Sequence, residues 1–317
     1  MSEASFGDVT GEYLAIRGAA GLVAGRHEAV RVHGPDAITF LQSLLSQDLT
    51  APSGSIVRSL LLSPQGKLRA LLWVLIGEEE VVLITDTGTA ETVRADLLRY
   101  RIRVDVEIEL EERPVFELLG PSSAGVLRAA GRAPGEGWRE TEDGWVARAP
   151  LGGLDRFICV GLDPAALVEH GALRCGHLAA TAVRIEAGEP KMGQDVDEST
   201  IPQESGLVAD SVSFTKGCYL GQELVARIDS RGHVNRYLRG LVVGENVLPP
   251  PQAGVFAGDR EVGVVGSVAE SLTLRAPVAL ALVRREIEPG DAVDVRWHGG
   301  AVQAIVRALP LDDFTVL

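Results

Sequence analysis

Three stretches of this 317-residue chain hold side chains whose type and spacing can do chemistry. The first is Val183-Arg184-Ile185-Glu186-Ala187-Gly188. Glu186 follows an apolar run, which places it at the inner end of a helix or strand, where a carboxylate needs a partner. A salt bridge to Arg184 or Lys191 would meet that need. So would a ligand, because a carboxylate offers two acceptor oxygens side by side and matches a heterocycle with a ring N–H beside an amino group, as in a pterin. The second stretch is Lys216-Gly217-Cys218-Tyr219-Leu220-Gly221-Gln222-Glu223. Cys218 is either a small buried hydrophobe or an open thiol whose thiolate Lys216 favours. No adjacent histidine completes a Cys–His pair, although His177 or His233 could fold nearby. The third stretch is basic: Lys216, Arg227, Arg231, Arg236 and Arg239 face only Glu223 and Asp229. Its charges are solvated or paired, or they form a pocket for an anion such as a carboxylate tail.

The elements that must position these groups read as α+β. Val30 and Val32 mark a strand that stops at Gly34-Pro35, and Phe40, Leu41, Leu44 and Leu45 form the stripe of an amphipathic helix. Strands follow over 56–62, 68–76 and 80–85, the first two joined by the turn Ser63-Pro64-Gln65-Gly66. Val93, Leu97 and Tyr100 mark a helix. Ile102, Val104, Val106 and Ile108 alternate with Arg103, Asp105, Glu107 and Glu109, the pattern of a strand with one wet face. A related series over 115–187 includes a helix started by Pro121, a strand at 157–160 and a helix over 177–187. Between Glu189 and Thr215 periodicity is weak, and such a length inside a compact chain marks a functional segment. After Arg236, short apolar runs separated by Gly, Pro and Asp read as a small barrel. The expected organisation is residues 1–235 as two α+β lobes divided near 112, and 236–317 as the barrel.

Bulk properties narrow the function. A formal charge of −14 disfavours a broad nucleic-acid face. Three cysteines, Cys159, Cys175 and Cys218, fit a reducing compartment, and none has C-x-x-C spacing. Cys159 reads as a core strand residue. Cys175 and His177 alone do not make a metal site, and none is expected. With no leader-like start and no long apolar run, the expected location is cytoplasmic.

The string Lys216 to Glu223 resembles the K-G-C-Y-x-G-Q-E signature of the YgfZ family, folate-binding relatives of the glycine-cleavage aminomethyltransferases. Val32-His33-Gly34-Pro35-Asp36-Ala37 with Phe40-Leu41-Gln42 resembles the opening of that superfamily. Arg184-Ile185-Glu186-Ala187-Gly188, with Asp197-Glu198 and Pro202, resembles its folate segment. The resemblance implies a three-lobed arrangement around a tetrahydrofolate site. It implies Glu186 at the pterin edge, Lys216 as a further folate contact and Cys218 as the reactive group. The basic segment with Arg227 and Arg231 would then receive the folate tail. The aminomethyltransferases carry an acid pair where Ala70 and Leu71 stand here, so the resemblance points to an accessory protein for iron–sulfur enzymes, including tRNA-modifying ones. Folate-dependent aminomethyl transfer or demethylation, and a non-catalytic interaction module, are the alternatives.

Overall fold

The chain opens with helix α1 (Val9–Gly18), capped where Asp8 accepts the Gly11 N–H at 2.9 Å. Tyr13, Ile16 and Arg17 lie on its buried side. Strand β1 (Gly21–Ala24) is only four residues long and pairs with strands far along the chain. The computed structural model describes residues 3–311. Among them no helix is long and apolar enough to cross a membrane.

The first sheet is antiparallel and contains β2 (His27–His33), β3 (Ile56–Leu62), β4 (Leu68–Ile76), β5 (Glu80–Asp86) and β6 (Glu107–Leu110), in the order β3-β4-β5-β2-β6. Helices α2 (Ala37–Gln42) and α3 (Ala90–Tyr100) contribute Phe40, Leu41, Val93 and Leu97 to one core with this sheet. The period of two on β4 sends Ala70, Leu72 and Val74 into that core and leaves Arg69, Leu71 and Trp73 on the other face. The alternation over 102–109 does not give a strand of that length. Only Glu107–Leu110 is a strand, Ile102 is 72% exposed, and Arg103 has φ of 56°. The chain leaving α3 has to turn before it reaches the sheet edge, and a left-handed residue ends any extended run.

The second sheet joins β1 to β7 (Val115–Leu119), β8 (Trp138–Glu140), β9 (Trp145–Arg148), β10 (Arg156–Val160) and β11 (Leu173–Arg174) in the order β11-β1-β7-β10-β9-β8. Helices α4 (Ser123–Ala129) and α5 (Pro164–Glu169) accompany it. Ile84 and Leu75 of the first sheet share a core with Ile158 and Ala147 of the second. Helix α6 (His177–Ala187) packs by its small residues Ala179, Ala180 and Ala182 into a core with Tyr13 and Ile16 of α1. Gly188, at φ of 74°, then ends the helix, and a Cβ there would stand 2.8 Å from that of Leu309.

The segment after Gly188 contains only a short 3-10 turn at Pro202–Glu204, α7 (Val208–Ser211) and α8 (Gln222–Arg231). A closed barrel follows, formed by β12 (Arg236–Val243), β13 (Gly254–Ala257), β14 (Arg260–Ser271), β15 (Ala276–Arg284), β16 (Ala292–Trp297) and β17 (Gly300–Arg307). Valine and alanine fill it, including Val255, Val265, Ala281 and Val306. The α+β class with a C-terminal barrel is thus the observed architecture. Strand β13, four residues beside the Pro249-Pro250-Pro251 turn, adds to the strands expected.

Candidate functional site

Where the two sheets meet the segment after α6, charged side chains from separate elements converge. Arg156 of β10 is fully buried. Its Nη1 donates to Glu117 at 3.1 Å and to Glu189 at 2.7 Å, its Nη2 to Glu189 at 3.1 Å, and its Nε to the Ala149 carbonyl at 2.6 Å. Arg58 of β3 donates to Glu189 at 2.7 Å and lies over the Trp73 ring at 4.8 Å. His27 Nε2 is 2.7 Å from Glu117 Oε1, and Arg26 Nε is 3.4 Å from Glu117 Oε2. Burial alone would raise the pKa of both acids. The cations win: Arg156 and Arg58 hold Glu189 down to about 2, while Arg26, His27 and Arg156 hold Glu117 far below the carboxylate range.

Beside this cluster, His27 and Asp86 are directly opposed residues of the antiparallel pair β2–β5. Both line a cavity of about 30 Å³ together with Leu71, Glu189 and Ser211. Asp86 also lines a larger cleft of about 730 Å³ bounded by Tyr13 of α1, Arg184 of α6 and Leu272 after β14, with Arg26 and Lys191 on its wall. Asp86 Oδ2 accepts the Met192 N–H at 2.8 Å. Burial raises the Asp86 pKa against the opposing charge of His27. A half-buried carboxyl and three cationic side chains around one cleft, with the His27 imidazole in the adjoining cavity, suit a ligand that carries both N–H donors and negative charge.

The residues singled out in the sequence occupy separate places. Glu186 is fully buried. Both its oxygens lie 2.8 Å from the Tyr13 hydroxyl, Ser271 Oγ donates to Oε1 at 2.6 Å, and Arg17 Nη1 is 3.9 Å from Oε2. Arg184, one expected partner, instead binds Asp195 at 2.8 Å. Glu186 therefore stands behind the cleft, and Tyr13, which lines it, lies between. Burial, then Glu186, raises the Tyr13 pKa, so the phenol remains a donor.

Lys216 turns away from that cleft. Its ammonium donates to the carbonyls of Gln42, Leu45 and Gln47 at 2.7, 2.8 and 2.9 Å, closing the chain that leaves α2. Burial pulls it down to about 8, with Asp48 acting against the shift. The loop it anchors carries Cys218, which is exposed, whereas Cys159 and Cys175 are buried. Gly221, at φ of 78°, lets this loop approach the Ser63–Gly66 turn, where a Cβ would meet the Ser63 carbonyl at 2.5 Å. Arg227 is exposed on α8. The Arg231 side chain lies outside the described residues. Arg236 is paired with Glu204 through bonds of 3.0 and 2.9 Å, and Arg239 lies over Tyr237. Neither the cavity nor the cleft is lined by Glu186, Lys216 or Arg227.

The converging residues His27, Asp86, Glu117 and Arg156 were not singled out from the sequence. Each comes from a different strand, so no spacing links them. The available signals were weak: an arginine opening the apolar strand Arg156-Phe157-Ile158-Cys159-Val160, and an acid closing another at Ile84-Thr85-Asp86.

Comparison with known proteins agrees with this architecture. Residues 2–139 match the GCVT N-terminal domain, and residues 236–313 match the glycine cleavage T-protein C-terminal barrel domain. The aminomethyltransferase of Corynebacterium aurimucosum is 28% identical, with 94% of this chain and 88% of the relative aligned. That of Nostoc sp. is 27% identical over 96% of this chain and 88% of the relative. The crystal structure of the glycine cleavage system aminomethyltransferase T from Bartonella henselae superposes with a TM-score of 0.87 at 25% identity, covering 96% of this chain and 90% of that one. Both end domains, the near-full-length alignments and the shared fold make this chain a relative of the glycine-cleavage T-proteins.

Proposed function

We propose that the protein binds a reduced folate, with the pterin in the cleft between α1, α6 and β14 and the anionic tail near its cations. The observation that carries this reading is the cleft itself: a space of about 730 Å³ at the junction of a T-protein fold, with Asp86 at its floor and Arg26, Arg184 and Lys191 around it. In this reading Glu186 works through Tyr13, whose hydroxyl it holds at 2.8 Å, fixing the ring that lines the cleft. Arg227, exposed on α8, would meet only the far end of a long tail, and Lys216 holds the Cys218 loop rather than the ligand.

The names of the relatives favour folate-dependent aminomethyl transfer. A second reading, an accessory protein for iron–sulfur enzymes, is favoured by two local observations. Ala70 is buried in the first core and Leu71 lines the cavity with an alkyl chain, so β4 offers no carboxylate there. Cys218 stands exposed on an anchored loop. Aminomethyl transfer to tetrahydrofolate from a loaded lipoyl carrier protein tests the first reading. Turnover at rates that Cys218→Ser leaves intact supports it. Absence of turnover, with a Cys218→Ser variant that fails to restore iron–sulfur enzyme activity in a deletion strain, supports the second.

A further inference from the structure

The outer face of the first sheet holds a second group of donor atoms, and none of its residues lines the cavity or the cleft. Where β2 pairs with the edge strand β6, Val32 and Ile108 are directly opposed and enter the core. The period of two then places His33, Glu107 and Glu109 together on the other face. His33 is directly opposite Glu107, and its Nε2 lies 3.7 Å from Glu107 Oε2 and 3.5 Å from Glu109 Oε2. Donor atoms of the three side chains all lie within 4.8 Å of one another. The backbone that presents them is fixed on both sides. Asp36 Oδ2 accepts the Asp105 N–H at 2.8 Å, and the Asp105 carbonyl lies 2.5 Å from where a Cβ on Gly34 would stand.

The arginines that could neutralise the two acids are engaged elsewhere. Arg31 is directly opposite Glu109, but its Nε donates to Glu80 of β5 at 2.6 Å. Arg113 donates to Glu111 at 2.9 Å from both Nε and Nη2. Glu107 and Glu109 are left with His33, and none of these three side chains makes a hydrogen bond among the described residues. An imidazolium drawn to one carboxylate would close to hydrogen-bond distance. Here the ring stands off both oxygens by nearly the same length. Bonds of about 2.1 Å to one tetrahedral ion would separate its ligand atoms by about 3.4 Å. The observed 3.5 and 3.7 Å are close to that spacing.

We propose that His33, Glu107 and Glu109 bind one divalent transition-metal ion of the zinc class. One imidazole nitrogen with two carboxylate oxygens suits such an ion, whereas magnesium and calcium take oxygen ligands. Water completes the coordination, since all three side chains reach solvent. The ion fastens the edge strand to β2 and neutralises two like charges on neighbouring positions of one face. The spacing in the chain shows none of this, because the donors come from strands that meet only in the fold. The inference is independent of the folate reading.

The test uses the full chain without an affinity tag, stripped of metal with a chelator and dialysed, and zinc chloride as the probe. Calorimetry should show one ion per chain, with Kd rising at least tenfold in each of His33→Gln, Glu107→Gln and Glu109→Gln. Zinc should also raise the Tm of the wild type and leave that of the three variants unchanged. In the wild type, the 15N resonance of His33 Nε2 should move with zinc and stay still with magnesium, a readout that needs no variant to fold. Cys218→Ser should bind zinc as the wild type does, which separates this site from the exposed thiol. Equal zinc affinity in wild type and His33→Gln, or binding that Cys218→Ser removes, overturns the proposal. So does a static His33 resonance without binding heat at millimolar zinc, which would leave the sheet edge as a solvated cluster of charges.

Discussion

Replacing Arg156 by methionine tests whether the buried ion cluster holds the junction together. The substitution keeps much of the apolar stem and removes the donors to Glu117, Glu189 and Ala149. The drop of Glu189 from 4.5 to about 2, at about 1.4 kcal/mol per pH unit, is about 3 kcal/mol of favourable interaction with its cations at neutral pH. Arg58 remains, so part of this survives, but Glu117 is also left with one cation fewer. Removing one partner of a buried pair costs about 3–5 kcal/mol, and the same range is expected here. Because the folded pKa of Glu189 lies below its unfolded value, its stabilisation is complete above pH 4.5 and is lost as pH falls towards about 2. Arg156→Met should therefore raise the Glu189 carboxyl titration towards 4.5, followed by 13C NMR. It should also speed amide exchange in β7 and β10 at pH 7. A variant with unchanged exchange and Glu189 still titrating near 2 would refute the argument.

Three further outcomes are expected. Glu186→Ala deprives the Tyr13 and Ser271 hydroxyls of their buried acceptor, destabilising the protein by about 1–3 kcal/mol and weakening folinic acid binding, both measured on the same samples by denaturant titration and calorimetry. Iodoacetamide should label exposed Cys218 well before Cys159 or Cys175, whose thiol burial pushes up to about 12, and mass spectrometry of brief labelling would show the order. Lys216, at about 8 in the fold against 10.5 when free, should make the native state more stable as pH rises from 8 to 10.5, since the unfolded chain holds that proton longer. Lys216→Met should remove this rise in pH-dependent denaturant unfolding.

Elements whose burial follows a simple period were legible in the sequence. The stripe of Phe40, Leu41, Leu44 and Leu45, the alternation on β4 and the apolar runs of the barrel each give one face to one core. Helix α1 and strand β1 escaped because β1 is four residues long and its partners β7 and β11 are distant in sequence. The alternation over 102–109 misled for the opposite reason: a perfect period cannot register that the chain must turn at Arg103. At the site, Cys218 and Glu186 stood out because each lies in a compact motif. The cluster of His27, Asp86, Glu117 and Arg156 exists only through two strand pairs and the contact between their sheets, which brings His27 to Glu117, 90 positions along the chain. Lys216 was legible as part of the Cys218 motif, read as a partner of the thiolate and a folate contact, but its bonds go to three carbonyls that no side-chain pattern announces.

The claim on which the account turns is that the junction cleft is a folate site. A crystal structure of the protein soaked with folinic acid tests it most directly. The account predicts a pteridine ring in the cleft between Tyr13 and Arg184, and a tail running past Lys191. Folinic acid bound elsewhere on the chain, or a cleft that stays free of it at saturating concentration, would contradict the account.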